Sequence, residues 1–542
     1  MIPRGGNVAP TRDYVASGDW DGAFIDDYLA TAAATVPDRM ALAEPTRSLT
    51  FAEFDGAVNA LASALQAHGI APGDVVSWQL PNWIEACVVH LAAIRIGAVS
   101  NPIIPIYRHT ETAFILRQSA SKIVFVPSAF RHFDYAAMAT EIARDLDEPP
   151  TVVVVGEGSP AGGVRYEEFV GGAGKPDSVD RSPDDVVLLL YTSGTTSDPK
   201  GATHSHNTLN YENRSIAELL ELSESDVIFM PSPVGHITGI LYGIQLPPML
   251  RSGVALLDVW SPQAGMRLIE EHRCTSTVAA TPFLHGIVHD PSRSSHDLSS
   301  MRNFLCGGAD VPPDLVIGAT DALDAMVTRV YGSTEFPTAS AGKRSDPLAK
   351  RATTDGRAIN SAEIRIVDDE MQDVAPGVPG EILLRGPEMF LGYLDNRLND
   401  SAFTADGWFR SGDLGRLDTE GYLEIVGRKK DIIIRGGENL SAKEVEDHLF
   451  VHPMVADVAV VGSPDPVLGE RVCAIVVPGS EVEIELEDLT GWLIERNIAR
   501  QKLPESLIVV DELPRTASGK IQKFKLRELA ADRANGRVQP LN

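Results

Sequence analysis

Cysteine is scarce in this chain. Four occur in 542 residues, Cys87, Cys274, Cys306 and Cys473, far apart and without a C-x-x-C pair. That spacing argues against a zinc ribbon or a disulfide framework and suits a reducing cytoplasm. No run approaches 18 uninterrupted apolar residues, and the first twenty residues carry Gly, Asp and Arg where a signal peptide has an apolar core, so neither an integral membrane segment nor secretion is expected. Positive charge is also in deficit: 47 Lys and Arg face 75 Asp and Glu, a formal net charge of −28. Such a field repels nucleic acid and anionic membranes, and any site for a small anion must be made positive locally. The chain has no Walker A loop, internal repeat or low-complexity tract.

What is present is material for large cores. Hydrophobic residues make up 44% and charged residues 23%, and the length suits two or three packed units. Short apolar runs at 75–80, 123–126, 151–155, 186–191 and 254–257 alternate with amphipathic stretches, a pattern that predicts α/β layers. The stretch 156–185, rich in Gly, Pro and acid, reads as a surface connection between subdomains. From 380 to 426 the texture changes to short segments punctuated by glycine, GEILLRG and GYLEIVG, which predict small antiparallel sheets. Beyond the charged GRKKD at 427–431, Ser441 and Glu444 have capping-box spacing, and 457–461 and 471–477 read as strands. A compact C-terminal domain of about a hundred residues, beginning near Lys430, follows.

The strongest chemical signal is YTSGTTSDPKG at 191–201. It follows an apolar strand, and Leu209, Ile216, Leu219 and Leu220 after it have helical spacing, which predicts a loop between strand and helix. Backbone N–H groups and hydroxyls from Thr192, Ser193, Gly194, Thr195 and Thr196 can wrap polyphosphate there, with Lys200 adding a point charge.

This segment resembles the phosphate loop of the adenylate-forming superfamily, which holds acyl-CoA synthetases, firefly luciferase and nonribosomal peptide adenylation domains. Further matches follow in family order over roughly residues 20–530. The resemblance implies an acetyl-CoA synthetase-like α/β fold. A large N-terminal AMP-binding domain, 1–429, would hold α/β subdomains and a small β subdomain, and a small mobile α+β domain would cover 430–542. PSPVGHITG at 231–239 resembles the segment beside the acyl channel, placing His236 and Gly239 in a substrate pocket that Gly332 also borders. CGGAD at 306–310 resembles the stretch against which adenine packs, implying Gly307, Gly308 and Ala309. YGSTE at 331–335 implies that Tyr331 stacks on adenine, Thr334 contacts the α-phosphate and Glu335 holds Mg²⁺, to which a hard carboxylate oxygen is suited.

SGDL at 411–414 implies that Asp413 accepts hydrogen bonds from the ribose hydroxyls, with Arg428 near the same sugar. In GRKKDIIIRGGEN at 427–439 the resemblance puts Lys430 at an interdomain hinge, and Gly436 and Gly437 in a loop that admits the pantetheine arm of coenzyme A. PRTASGK at 514–520 resembles the motif whose Lys520 bridges the carboxylate and the α-phosphate. The implied catalytic set is Lys520, His236, Thr334 and Lys200, with ATP, Mg²⁺ and coenzyme A as cofactors and a small carboxylic acid as partner. Two departures stand out. Ser197 occupies a position that is commonly Gly, and TTDGRA at 353–358 stands where the family has G-S-V-G-R-P, keeping Gly356 and Arg357 but leaving the local nucleotide contacts open.

A carboxylate is a poor acyl donor because oxide leaves badly, and attack on the α-phosphorus of ATP converts it to a mixed anhydride with AMP. Preorganised cations and donors stabilise the charge that develops, and thiol attack then gives a thioester without a protein nucleophile. Only 22 residues follow Lys520, too few for a carrier domain, and no Asp near His236 offers a partner for an α-ammonium group. Acyl-CoA ligation is the expected reaction. Residues 79–111 look most like ligases for short- to medium-chain or alicyclic acids such as cyclohexanecarboxylate. A different acceptor, a long-chain, aryl or steroid-derived acid, and a non-catalytic nucleotide-binding scaffold are the alternatives. The oligomeric state stays open, a homodimer included.

Overall fold

The computed structural model describes residues 3–158, 162–172, 174–192, 199–308, 311–436, 438–479, 483–496, 498–515 and 521–534. They form two compact units. The larger holds residues up to Ile364 together with Leu384–Phe409, and the smaller holds Arg365–Leu383 and the chain from Arg410 onward.

The larger unit contains two sheets. In one, the strand order is Lys200–Ser205, Val186–Thr192, Val99–Pro102, Val75–Trp78, Ile123–Pro127, Thr151–Val155 and Val164–Arg165. In the other, Met326–Tyr331, Asn303–Gly307, Ser276–Ala279, Val227–Met230, Gly253–Leu256 and Met40–Ala43 run side by side between short strands at both edges. The central strands pair in parallel. Parallel strands are covered on both faces, which is why they read as unbroken apolar runs such as TVVVV at 151–155. The five predicted runs are strands, with no end displaced by more than two residues.

Helix Phe51–Ala67 shows how the intervening layer is built. Thr50 accepts from the Glu53 N–H and the Glu53 carboxylate accepts from the Thr50 N–H, so two unpaired donors at the helix start are satisfied reciprocally. Its buried residues Phe51, Phe54, Val58, Leu61 and Leu65 recur every three or four positions and join strands of both sheets in one core. The stretch 156–185 corrects one expectation. It contains strand Val164–Arg165, paired with Thr151–Val155, and helix Tyr166–Val170, whose Phe169 is buried. It therefore links strands of one sheet, because VRYEEF carries enough apolar surface to pack.

In the smaller unit, the texture change at 380–426 corresponds to the sheet Glu363–Val367, Gly380–Arg385, Phe409–Leu417 and Leu423–Arg428. A second sheet is built on the long antiparallel hairpin Val455–Asp465 and Gly469–Pro478. Ser441 caps helix Ala442–Phe450 by accepting from the Glu444 N–H at 3.3 Å. The Glu444 carboxylate pairs with Lys502 at 2.7 Å instead of completing a capping box.

Candidate active site

Strands Val186–Thr192 and Lys200–Ser205 form an antiparallel hairpin, with Tyr191 opposite Gly201 and Thr192 opposite Lys200. The phosphate-loop motif thus spans two strands. This corrects the predicted strand-to-helix loop, since Lys200–Ser205 precedes helix His206–Leu219. The cause is close packing of the second strand: a Cβ on Gly201 would lie 2.9 Å from Leu189 and 3.1 Å from the Tyr191 ring, and residues 202–205 are buried. Ser193, Gly194, Thr195, Thr196 and Ser197 lie outside the described residues. Thr192 donates its hydroxyl to the Lys200 carbonyl at 3.4 Å.

The hairpin's outer strand is met by residues 391–394. Leu391 N–H donates to Thr203 O and Leu394 N–H to Gly201 O, both at 2.8 Å, and Ala202 bridges to Tyr393. Tyr393 is thereby set between two predicted site residues. Its ring centroid is 5.3 Å from Lys200 Nζ, and its Oη donates to Glu335 Oε1 at 2.7 Å. Burial and the Glu335 carboxylate push the Tyr393 phenol far above its ordinary range, so it acts as a hydrogen-bond donor. Sequence reasoning missed Tyr393. It lies 58 residues from Glu335, and LGYLD carries no motif that links the two.

Gly307 and Tyr331 end adjacent parallel strands, with Gly307 opposite Val330. A Cβ on Gly307 would stand 2.4 Å from the Val330 carbonyl, and Gly308 has φ +77°. Both positions call for glycine. Ala309 lies outside the described residues. After Tyr331 the chain folds so tightly that a Cβ on Gly332 would lie 1.8 Å from Pro337 O. Thr334 is buried, and its carbonyl accepts from His204 Nε2–H at 2.8 Å while His204 Nδ1 faces Thr208 Oγ1 at 3.1 Å. Burial lowers the His204 pKa to about 4 and keeps the ring neutral. One hairpin strand therefore carries both Lys200 and the anchor of the Thr334 backbone.

His236 caps a short helical turn, with Nδ1 accepting from Thr238 N–H at 3.5 Å. Buried Asn82 fastens this segment: it donates to Ser232 O at 2.8 Å and Leu257 O at 3.0 Å and accepts from Val234 N–H at 2.8 Å. Much of 79–111 is core, since helix Ile84–Arg95 is almost wholly buried. A Cβ on Gly239 would lie 2.3 Å from Pro233 O and 2.5 Å from Val234 Cα, so any side chain there collides with backbone. The TTDGRA departure also has a structural partner. Asp355 receives two hydrogen bonds, at 3.0 and 3.1 Å, from buried Arg329, two residues before Tyr331.

In the smaller unit, Asp413 and Arg428 are direct cross-strand partners, with Nε–Oδ1 at 3.0 Å. Asp413 is buried, and its N–H donates to Ser411 Oγ at 3.1 Å. Lys430 lies in the turn Lys429–Asp431 between the unit's two sheets. Strand Ile432–Arg435 leads into Gly436, at φ +60°. Gly437 and Lys520 lie outside the described residues, and the segment holding Lys520 is flanked by an Arg515–Ile521 bridge.

All four cysteines are buried and free. Burial pushes their thiols up, Cys306 to about 12, so none supplies a thiolate nucleophile. Glu335 fits a hard divalent cation: Tyr393 takes one oxygen, and among the described residues no partner occupies the other. No group of three His, Cys, Asp or Glu side chains among the described residues makes a protein-only metal cage. Nor is any described helix long and apolar enough to cross a membrane.

Comparison with known proteins matches residues 29–394 to the AMP-binding enzyme family and residues 444–520 to the AMP-binding enzyme C-terminal domain. The medium-chain fatty-acid–CoA ligase of Escherichia coli strain K12 is 37% identical over 95% of this chain and 92% of its own. The indoleacetate–CoA ligase of Aromatoleum aromaticum is 35% identical over 94% and 98%. Among solved structures, ATP-bound MatB from Rhodopseudomonas palustris matches with a TM-score of 0.83 and 28% identity, covering 94% of this chain and 99% of that one. The anthranilate CoA ligase AuaEII with anthranoyl-AMP matches at 0.87 and 26%, covering 95% and 98%.

Proposed function

Because this chain belongs to the AMP-binding enzyme family and is an ATP-dependent, AMP-forming acid:CoA ligase, we propose that it activates a medium-chain fatty acid with the side chains described above. The observation that carries the assignment of roles is the Lys200–Tyr393–Glu335 group beside the hairpin, with the Thr334 backbone anchored on the same strand.

In this reading Lys200 meets the charge of the triphosphate, and the Thr334 hydroxyl donates to the α-phosphate as the acid's carboxylate attacks it. Tyr331, Gly307 and Gly308 receive adenine. Asp413 accepts from the ribose hydroxyls, held in place by Arg428. Glu335 would hold Mg²⁺, which supplies charge neutralisation on the phosphates. Tyr393 keeps that carboxylate oriented. His236 borders the acyl group, Lys520 steadies the attacking carboxylate, and Gly436 and Gly437 admit the pantetheine arm. Coenzyme A thiol then displaces AMP. The buried, reduced cysteines support a cytoplasmic setting.

The medium-chain assignment rests on the similarity to the E. coli ligase, and the indoleacetate ligase of nearly equal identity favours an aryl acid as second reading. A panel of octanoate, cyclohexanecarboxylate and indoleacetate, assayed with ATP, Mg²⁺ and coenzyme A, decides between them. AMP and pyrophosphate are the expected products, with octanoate giving the highest kcat/KM. Preference for indoleacetate would move the assignment to aryl acids, and ADP with phosphate would refute adenylation.

A further inference from the structure

Helix His206–Leu219 carries Glu212, whose side chain is fully buried. The Tyr242 hydroxyl donates to Glu212 Oε1 and also lies 2.9 Å from Thr338 Oγ1. These residues join segments that matter to the site. The Glu212 helix continues directly from the strand that begins at Lys200. Tyr242 follows His236 by six residues, and Thr338 follows Thr334 by four. The other Glu212 oxygen, Oε2, is buried without a hydrogen-bond partner among the described residues.

We propose that Glu212 is a positioning residue for adenylation, bracing the 331–338 loop against the acyl segment through Tyr242. A carboxylate costs far more to bury than a neutral carboxyl, and no cation faces this one among the described residues. The titratable groups that do face it are Tyr242, from the segment after His236, and Glu388, from the stretch leading to Tyr393. Glu388 is also fully buried, with both oxygens unpartnered among the described residues. Burial raises the Glu212 pKa to about 7 against the hydrogen bond from Tyr242, and holds Glu388 well above the carboxylate range. Glu212 is therefore protonated below about pH 7 and ionises above it. An ionised Glu212 would be a fully buried charge with no cation among the described residues to offset it, and the water or rearrangement needed to relieve it would loosen the loop that carries Thr334 and Glu335.

This inference rests on the adenylation reading, and the two fail differently. The test is ATP–pyrophosphate exchange without coenzyme A, so that no thiol titrates, using octanoate, or indoleacetate if the parent prefers it. If the parent exchanges pyrophosphate with neither acid, the adenylation reading falls. If it exchanges, its rate should decline as pH rises through about 7. Glu212→Gln, a neutral isostere, should remove that decline while keeping the low-pH rate within about twofold, and Tyr242→Phe should lower exchange about tenfold through kcat more than KM. Conversion of supplied acyl-AMP and coenzyme A to thioester should change less than about twofold in each variant. The brace is overturned if Glu212→Gln keeps the parent's alkaline decline, or if Tyr242→Phe, shown folded by its melting curve, exchanges at the parent rate.

Discussion

At the residue scale, His204 shows how a site is held by a fully buried group that acts through a backbone carbonyl. Its Nε2–H donates to the Thr334 carbonyl, and burial, which disfavours the charged imidazolium, makes the neutral ring with Nδ1 unprotonated the stable state. The folded pKa of about 4 lies below the ordinary 6.5. Between those values the unfolded chain binds a proton that the folded chain refuses, so this contribution to stability is present above pH 6.5 and is lost as pH falls towards 4. At pH 5 the loss for this one group amounts to about 2 kcal/mol. His204→Gln, which cannot protonate, should show a smaller fall in melting temperature between pH 7.5 and 5 than the parent. An identical fall in both would mean that His204 is not the neutral anchor. His204, Tyr393 and Asn82 share a reason for being illegible in the sequence. Each acts through backbone or side-chain partners brought near by the sheets, whereas Lys200, Thr334 and Glu335 sit inside contiguous motifs.

At the scale of elements, the TTDGRA departure is the clearest case of a local oddity with a distant cause. Asp355 occupies a position at which the related motif has an apolar residue, and its partner Arg329 lies on the strand that ends in Tyr331. Both side chains are 8% exposed. Removing one partner of such a pair leaves the other charge buried with less compensation, at a cost of about 3–5 kcal/mol, while replacing both with apolar residues is often neutral. Asp355→Val alone should therefore lower the melting temperature sharply and weaken ATP binding through Tyr331, and the double variant Arg329→Met/Asp355→Val should recover most of both. If the double variant is as unstable as the single, the pair is not a self-contained unit. The strands were legible as elements because burial on both faces leaves an unbroken apolar run. The hairpin at 191–201 was not, because Lys200–Ser205, KGATHS, looks polar and derives its strand geometry from Gly201 packing on Leu189 and from the 391–394 segment.

At the scale of the whole molecule, nearly the full length aligns with known ligases, and the motif resemblance implies which residues serve which half-reaction. The turn holding Lys430 has ion pairs on either side. Lys429 pairs with Asp369 and Glu381, in the loop and strand of the four-stranded sheet, and Asp431 pairs with Arg527 on the C-terminal helix Lys523–Ala534. A hinge at Lys430 would thus turn the chain beyond it against the four-stranded sheet, with Lys429 and Asp431 each fastened to its own side. In the proposed roles Lys520 would stabilise charge only while the carboxylate attacks the α-phosphate. Lys520→Ala should abolish acyl-AMP formation yet still convert supplied acyl-AMP and coenzyme A to thioester. Gly437→Leu should do the reverse, since its side chain would obstruct pantetheine without touching ATP. Lys430→Pro fixes φ near −65° and removes an N–H, which should slow the thioester step more than adenylation. Equal loss of both half-reactions in folded Lys520→Ala and Gly437→Leu proteins would show that the two steps share one arrangement of the C-terminal segment, and the hinge assignment would fall.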